Sequence, residues 1–203
     1  IPFYAEMSSI NPVILLPAAL AARGPAIAEG FVGALTLGAG QFCTNPGLIL
    51  AIGGPELDAF VAAAGTAVEA APAAVMLTPG ICKAFAHGVA ALTQASEVTT
   101  VARGQTGEGH TGQAALFSVS GADFLANPHL HEEVFGAASI VVRAADQAEL
   151  EKVIAAIEGQ LTIAIHMDEA DHGLAGDLLP ALELKAGRIL VNGFGTGVEV
   201  AHA

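Results

Sequence analysis

Positive charge is scarce in this sequence: 7 Lys and Arg stand against 20 Asp and Glu, for a net charge of −13. Such a chain repels nucleic-acid phosphates and anionic lipid. Aromatic residues, which would stack on bases, make up only 5%. No nucleic-acid partner is expected. Cysteine is scarce as well. Cys43 and Cys82 are the only two, too few for a disulfide scaffold, and no charged-then-apolar leader opens the chain, so a reducing cytoplasm is expected. Residues 30–55 carry no charge. Gly, Pro, Asn and Gln break that stretch before it reaches the roughly 20 apolar residues of a membrane span. It reads as buried helix, loop and strand, and no membrane partner is expected.

What the sequence does have is apolar surface: 53% of residues are hydrophobic and only 13% charged. That is too apolar for a disordered chain. It is also rich for a domain standing alone in water, which points to a face covered by another domain or subunit. The 203 residues suffice for one domain with a real core. The chain opens on Ile1 and stops at Ala203 without a cap or polar tail, which reads as a cut domain.

Short apolar runs at 13–16, 48–52, 98–102, 115–119, 140–142, 161–165 and 189–191 read as strands. Helical patterns cover 18–37, interrupted at Gly24-Pro25, then 55–70, 79–92, 146–157 and 176–184. The fourth of these places Leu150, Val153, Ile154 and Ile157 on one face. The alternation predicts an α/β three-layer sandwich with a largely parallel, twisted sheet. Residues 104–112 form a polar, glycine-rich turn without the Lys-Ser/Thr ending of a phosphate loop.

Cys43 lies in a glycine-rich loop, 38–47. A nucleophilic thiol needs small neighbours, so that substrate can approach and backbone N–H groups can face the reacting carbon. By itself the same pattern describes a buried packing thiol, and Glu6 by itself describes a surface carboxylate. His129 and His131 have the spacing of a metal pair on a strand, but Pro128 before them argues a turn. No metal is expected.

Three motifs occur in order: Glu6-Met7-Ser8-Ser9-Ile10-Asn11-Pro12, then Gly40-Gln41-Phe42-Cys43-Thr44-Asn45-Pro46-Gly47, then Glu132-Glu133-Val134-Phe135-Gly136. Together they resemble the aldehyde dehydrogenase superfamily. The variant sequences resemble its branch of α-ketoglutaric semialdehyde (2,5-dioxovalerate) dehydrogenases and some bacterial fatty aldehyde dehydrogenases. Ser8 stands where the family has glycine, Leu48 where it often has arginine, and Thr36 where it has an aromatic.

The resemblance implies that 1–203 is the cysteine-bearing catalytic domain. Cys43 is then the nucleophile, with its own backbone N–H facing the oxyanion. Glu6 is the general base that activates water. Glu133 binds the nicotinamide ribose and Phe135 packs beside the nicotinamide. Phe42 and Phe194 line the aldehyde pocket. The cofactor implied is NADP ahead of NAD, and the substrate a small-molecule aldehyde, α-ketoglutaric semialdehyde or a relative. The resemblance also implies a dinucleotide-binding domain upstream of Ile1, an oligomerisation strand beyond Ala203, a homo-dimer or homo-tetramer, and no turnover by 203 residues alone. Two alternatives stay open at this point: a cysteine hydrolase or acyltransferase using His87 or His110, and a catalytically silent domain.

Overall fold

A computed structural model describes residues 8–196. β1 (Pro12–Leu15) leads through α1 (Pro17–Thr36) to β2 (Leu48–Ile52) and α2 (Pro55–Ala70). β3 (Ala74–Val75), α3 (Pro79–Gln94), β4 (Thr99–Arg103), β5 (Thr111–Gly112), β6 (Ala115–Ser120) and α4 (Gly121–Ala126) follow. β7 (Ala138–Ala144), α5 (Gln147–Ala156), β8 (Gln160–His166), α6 (His172–Glu183) and β9 (Ala186–Val191) complete it.

The main sheet has seven strands in the order β4-β6-β7-β2-β1-β8-β9. All neighbours are parallel except β4, which pairs antiparallel with β6. β3 and β5 form a separate antiparallel ribbon. Both faces are covered, so the strands are continuous apolar runs whose alternate residues enter opposite cores. Val13, Leu15, Ile49, Ala51 and Val141 pack with Phe31 of α1 and Phe60 of α2. Ile14, Leu48, Leu50, Phe117 and Val142 pack with Phe85 of α3, Phe124 of α4, Val153 of α5 and Leu178 of α6. Each fully buried Leu, Ile or Phe contributes about 2–3 kcal/mol by leaving water. This is the three-layer α/β sandwich the alternation predicts.

The predicted break at Gly24-Pro25 is not there: α1 runs through both residues. An interior proline costs about 3 kcal/mol. Pro25 is exposed, while Ala19, Leu20, Ile27, Ala28, Phe31 and Leu35 lie buried on both sides of it. Their shared core face outweighs one lost hydrogen bond. Leu16, at the α1 N-cap, has no capping side chain. Buried Asp171 caps instead, accepting from Ala18 N and Ala19 N at 2.9 Å each. The last helix begins at His172, ahead of the predicted 176, and contains Pro180. No helix among the described residues is long and apolar enough to cross a membrane.

The strands β7, β2 and β1 are adjacent and parallel. The segments that precede them in sequence therefore meet at one end of the sheet. Those segments are 132–137, 38–47 and 8–11, the three motif regions.

Candidate active site

The cysteine loop begins with a run of left-handed backbone. Gly38, Ala39 and Gly40 have φ of 57°, 59° and 70°. At Gly40 a side chain would run into the backbone of Gly136 and Ala137, so the absence of Cβ is what lets the two loops touch. The Phe42 ring lies over Gly38. Gln41 ties the loop down at both ends of its amide, donating to Gly38 O at 3.0 Å and accepting from Leu77 N at 2.9 Å.

Cys43 is half-buried. It occupies a β-turn closed by Asn45 N donating to Phe42 O at 2.8 Å. Asn45 Nδ2 donates to Gly136 O at 3.0 Å, a second tie to the loop after Phe135. The first motif, which ends at Asn11-Pro12, arrives through Asn11. Its Nδ2 donates to Cys43 O at 2.9 Å and to Asn45 O at 3.1 Å.

Glu133 and Phe135 share a narrow cleft with Ser9, Asn45, Gly136 and Ser139. Glu133 is half-buried and accepts a hydrogen bond from Ser8 Oγ at 2.9 Å. Phe135 is 38% exposed, a high value for a large aromatic. Phe194 sits elsewhere. Its ring packs on His166, centroids 4.7 Å apart, and on Phe31 at 6.5 Å. The next residue, Gly195, returns to the carbonyl of Thr44 and the side chain of Thr162. The turn therefore reaches the cysteine loop while the Phe194 ring belongs to the core. Glu6 lies outside the described residues.

The histidines do not build a rival centre. Among the described residues, ring-nitrogen hydrogen bonds occur at His129, with Glu132 at 2.8 Å, and at His131, which donates to Phe124 O at 2.8 Å. The His131 ring also stacks on Phe124 at 4.1 Å. Neither bond reaches Cys43, and His87 and His110 are exposed. No group of three or more His, Cys, Asp or Glu among the described residues could hold a metal. Gln160 is a functional candidate that sequence patterns missed, and Asn11 and Asn45, though inside the three motifs, carried no role there. Buried amides signal themselves only once their partners are known.

No family model matches the chain. It is 54% identical over 204 residues to alpha-ketoglutaric semialdehyde dehydrogenase 2 of Azospirillum brasilense, covering 100% of this chain. It is 44% identical over 205 residues to alpha-ketoglutaric semialdehyde dehydrogenase of Acinetobacter baylyi, again covering 100% of the chain. The chain is homologous to aldehyde dehydrogenases. It spans 39% of the length of each of these two relatives. The fold agrees: gamma-glutamyl-gamma-aminobutyraldehyde dehydrogenase of Burkholderia cenocepacia superposes with a TM-score of 0.75 at 20% identity, over 96% of this chain and 40% of that one.

One buried group in this chain sets a pH dependence. His166, at the end of β8, is 3% exposed. Neither ring nitrogen has a hydrogen-bond partner among the described residues. Burial, with the Arg23 guanidinium nearby, pushes its pKa down to about 4, and the Gly193 backbone only partly opposes this. An unfolded histidine takes up a proton near pH 6.5. Between that value and about 4 the unfolded chain binds the extra proton. Full stability is thus present above 6.5 and is lost as pH falls toward 4. The loss is about 3 kcal/mol. Urea unfolding of the full-length protein at about pH 7 and about pH 4.5 is expected to show it, and His166→Leu to shrink the difference. An unchanged difference in His166→Leu would assign the pH effect to other groups.

Proposed function

We propose that the protein carrying this segment oxidises an aldehyde to a carboxylate with NAD or NADP, and that its substrate is α-ketoglutaric semialdehyde. The observation that carries this reading is the meeting of three motif segments at the Cys43 turn, in a chain 54% identical to a relative bearing that substrate in its name.

The Cys43 thiolate adds to the aldehyde carbon, and the carbonyl oxygen becomes an oxyanion facing the Cys43 backbone N–H. Glycines on both sides leave that approach open. A free thiol titrates near 8.5 and needs a base or a positive potential to react quickly. A nicotinamide, when bound, supplies the two-electron acceptor that turns the adduct into a Cys43 thioester. Glu6 then takes a proton from water as the water attacks the thioester carbon, and the thiolate leaves. Glu133 and Phe135 fit the cofactor's chemistry. Glu133 offers carboxylate oxygens to ribose hydroxyls, one of them already accepting from Ser8, and Phe135 presents an exposed aromatic face. Phe42, within the cysteine loop, and the 193–195 turn beside it are read as the near wall of the aldehyde pocket. NADP is placed ahead of NAD. The dinucleotide-binding domain belongs to sequence before Ile1.

Assembly as a homo-dimer or homo-tetramer, in the cytoplasm, completes the reading. The oligomer is supported by β9, which lies at the sheet edge among the described residues; its Val191 is 59% exposed, and Leu184, just ahead of it, 86%. Such an edge invites a further strand.

The test separates base from nucleophile. Glu6→Gln in the full-length protein is expected to give a burst of reduced dinucleotide of about one equivalent, followed by steady turnover at least about 100-fold slower than the parent. Linear, undiminished turnover would overturn Glu6 as the base.

A further inference from the structure

The turn that carries Cys43 has a weak point. Cys43 and Thr44 are the central residues of the 42–45 turn, so the peptide between them stands across the turn's plane. A central turn peptide can rotate by about 180°, which is the difference between turn types I and II, and the rotated form sets the third residue, here Thr44, at positive φ. The peptide is trans, so its carbonyl and the Thr44 N–H point in opposite directions. Rotation would exchange a hydrogen-bond donor for an acceptor beside the Cys43 sulfur.

Asn11 holds that peptide. It is 2% exposed and has φ of 47°. Its Nδ2 faces three carbonyls: Cys43 O at 2.9 Å, Asn45 O at 3.1 Å and Ser9 O at 3.2 Å. Its Oδ1 accepts from Ser9 Oγ at 2.8 Å, Thr162 Oγ1 at 3.2 Å and Thr162 N at 3.3 Å. Carbonyls can only accept and a backbone N–H can only donate, so this surrounding fixes which end of the amide is which. The backbone is pinned too: Gln160 Oε1 accepts from Ile10 N at 2.8 Å and Asn11 N at 3.0 Å. The amide is thus anchored on β8 and aimed at the cysteine turn.

We propose that Asn11 is a positioning residue that locks the Cys43–Thr44 peptide. It keeps the Cys43 carbonyl turned away and the Thr44 N–H in place as a fixed dipole for the reacting sulfur and oxygen. The proposal rests on Cys43 being the nucleophile.

Two variants of the full-length protein test it. Asn11→Gly removes the amide at a φ that suits glycine. Asn11→Asp keeps the shape but replaces the donor with an acceptor. Both are expected to lower kcat about 100-fold, as loss of an oriented site donor does, with KM for the aldehyde changed less than about threefold. Alkylation of Cys43 by iodoacetamide at neutral pH is expected to slow by about tenfold, while Cys82, in α3, labels at its parental rate. A space-filling role would be rescued by the aspartate. Folded Asn11→Gly with parental kcat and parental Cys43 labelling overturns the proposal. Cys43→Ala that still turns over overturns instead the nucleophile reading, whatever Asn11 does. If neither Asn11 variant folds, Thr162→Val decides. It removes one anchor of the Asn11 amide without touching the turn. Cys43 labelling slowed by about threefold supports the lock, and an unchanged rate overturns it.

Discussion

Replacing Cys43 with alanine in the full-length protein is expected to lower aldehyde oxidation at least about 10⁴-fold, the scale on which a nucleophile's removal is felt. The fold is expected to survive. The hydrogen bonds that hold Cys43 in the turn do not use its thiol: Asn11 Nδ2 donates to Cys43 O and Asn45 N donates to Phe42 O. The thiol is half-buried, so its loss opens no large cavity. Cys82 is the internal comparison. It lies in α3, packs against the core beneath that helix, and its Sγ is 3.6 Å from Thr111 O. Cys82→Ala is a packing change, with activity expected within about twofold of the parent. Dinucleotide reduction and the stoichiometry of thiol labelling check both. Substantial turnover by Cys43→Ala would return the chain to the reading of a domain with a silent cysteine.

The sheet was legible in the sequence because a doubly covered parallel strand is a continuous apolar run. Val13, Ile49, Val141 and Ile163 lie in four of the predicted runs and inside the central strands. Elements with weak apolar signal were not legible. β3 and β5 are two residues each and exist through their pairing with each other. α4 is six residues started by Ser120, whose side chain accepts from Asp123 N, a cap visible only once the helix is known. Pro25 misled in the opposite direction, because local propensity cannot weigh the core face that holds α1 together. The candidate site divides in the same way. Cys43 and Glu133 stood out through motif resemblance. The contacts that bring their loops together are a carbonyl held by Asn11, a carbonyl held by Asn45 and a backbone contact at Gly40. Such partners lie far apart in sequence and follow no periodicity.

Gly40 is where that assembly is most exposed to a single change. A Cβ there would overlap the backbone of Gly136 and Ala137, and backbone, unlike a flexible side chain, cannot swing aside. The residue also has φ of 70°, which costs a non-glycine residue about 1–2 kcal/mol before any clash is counted. Gly136 belongs to the loop of Glu133 and Phe135, and its carbonyl holds Asn45. Ala137 leads directly into β7. A shift that relieves the overlap must therefore move the cysteine turn away from the Glu133 loop or disturb the start of a central strand. Gly40→Ala is expected to destabilise the protein by about 4 kcal/mol, strain and overpacking together, and to lower kcat/KM more than about 100-fold in whatever fraction folds. Thermal unfolding and dinucleotide-reduction assays on the soluble fraction check the two parts. At Gly33, by contrast, a Cβ meets nothing within 4 Å, and Gly33→Ala on the exposed face of α1 is expected to leave activity unchanged and to gain about 0.5–1 kcal/mol of helix stability. If Gly40→Ala behaved like Gly33→Ala, the close contact between the cysteine loop and the Glu133 loop would not be what holds this site together.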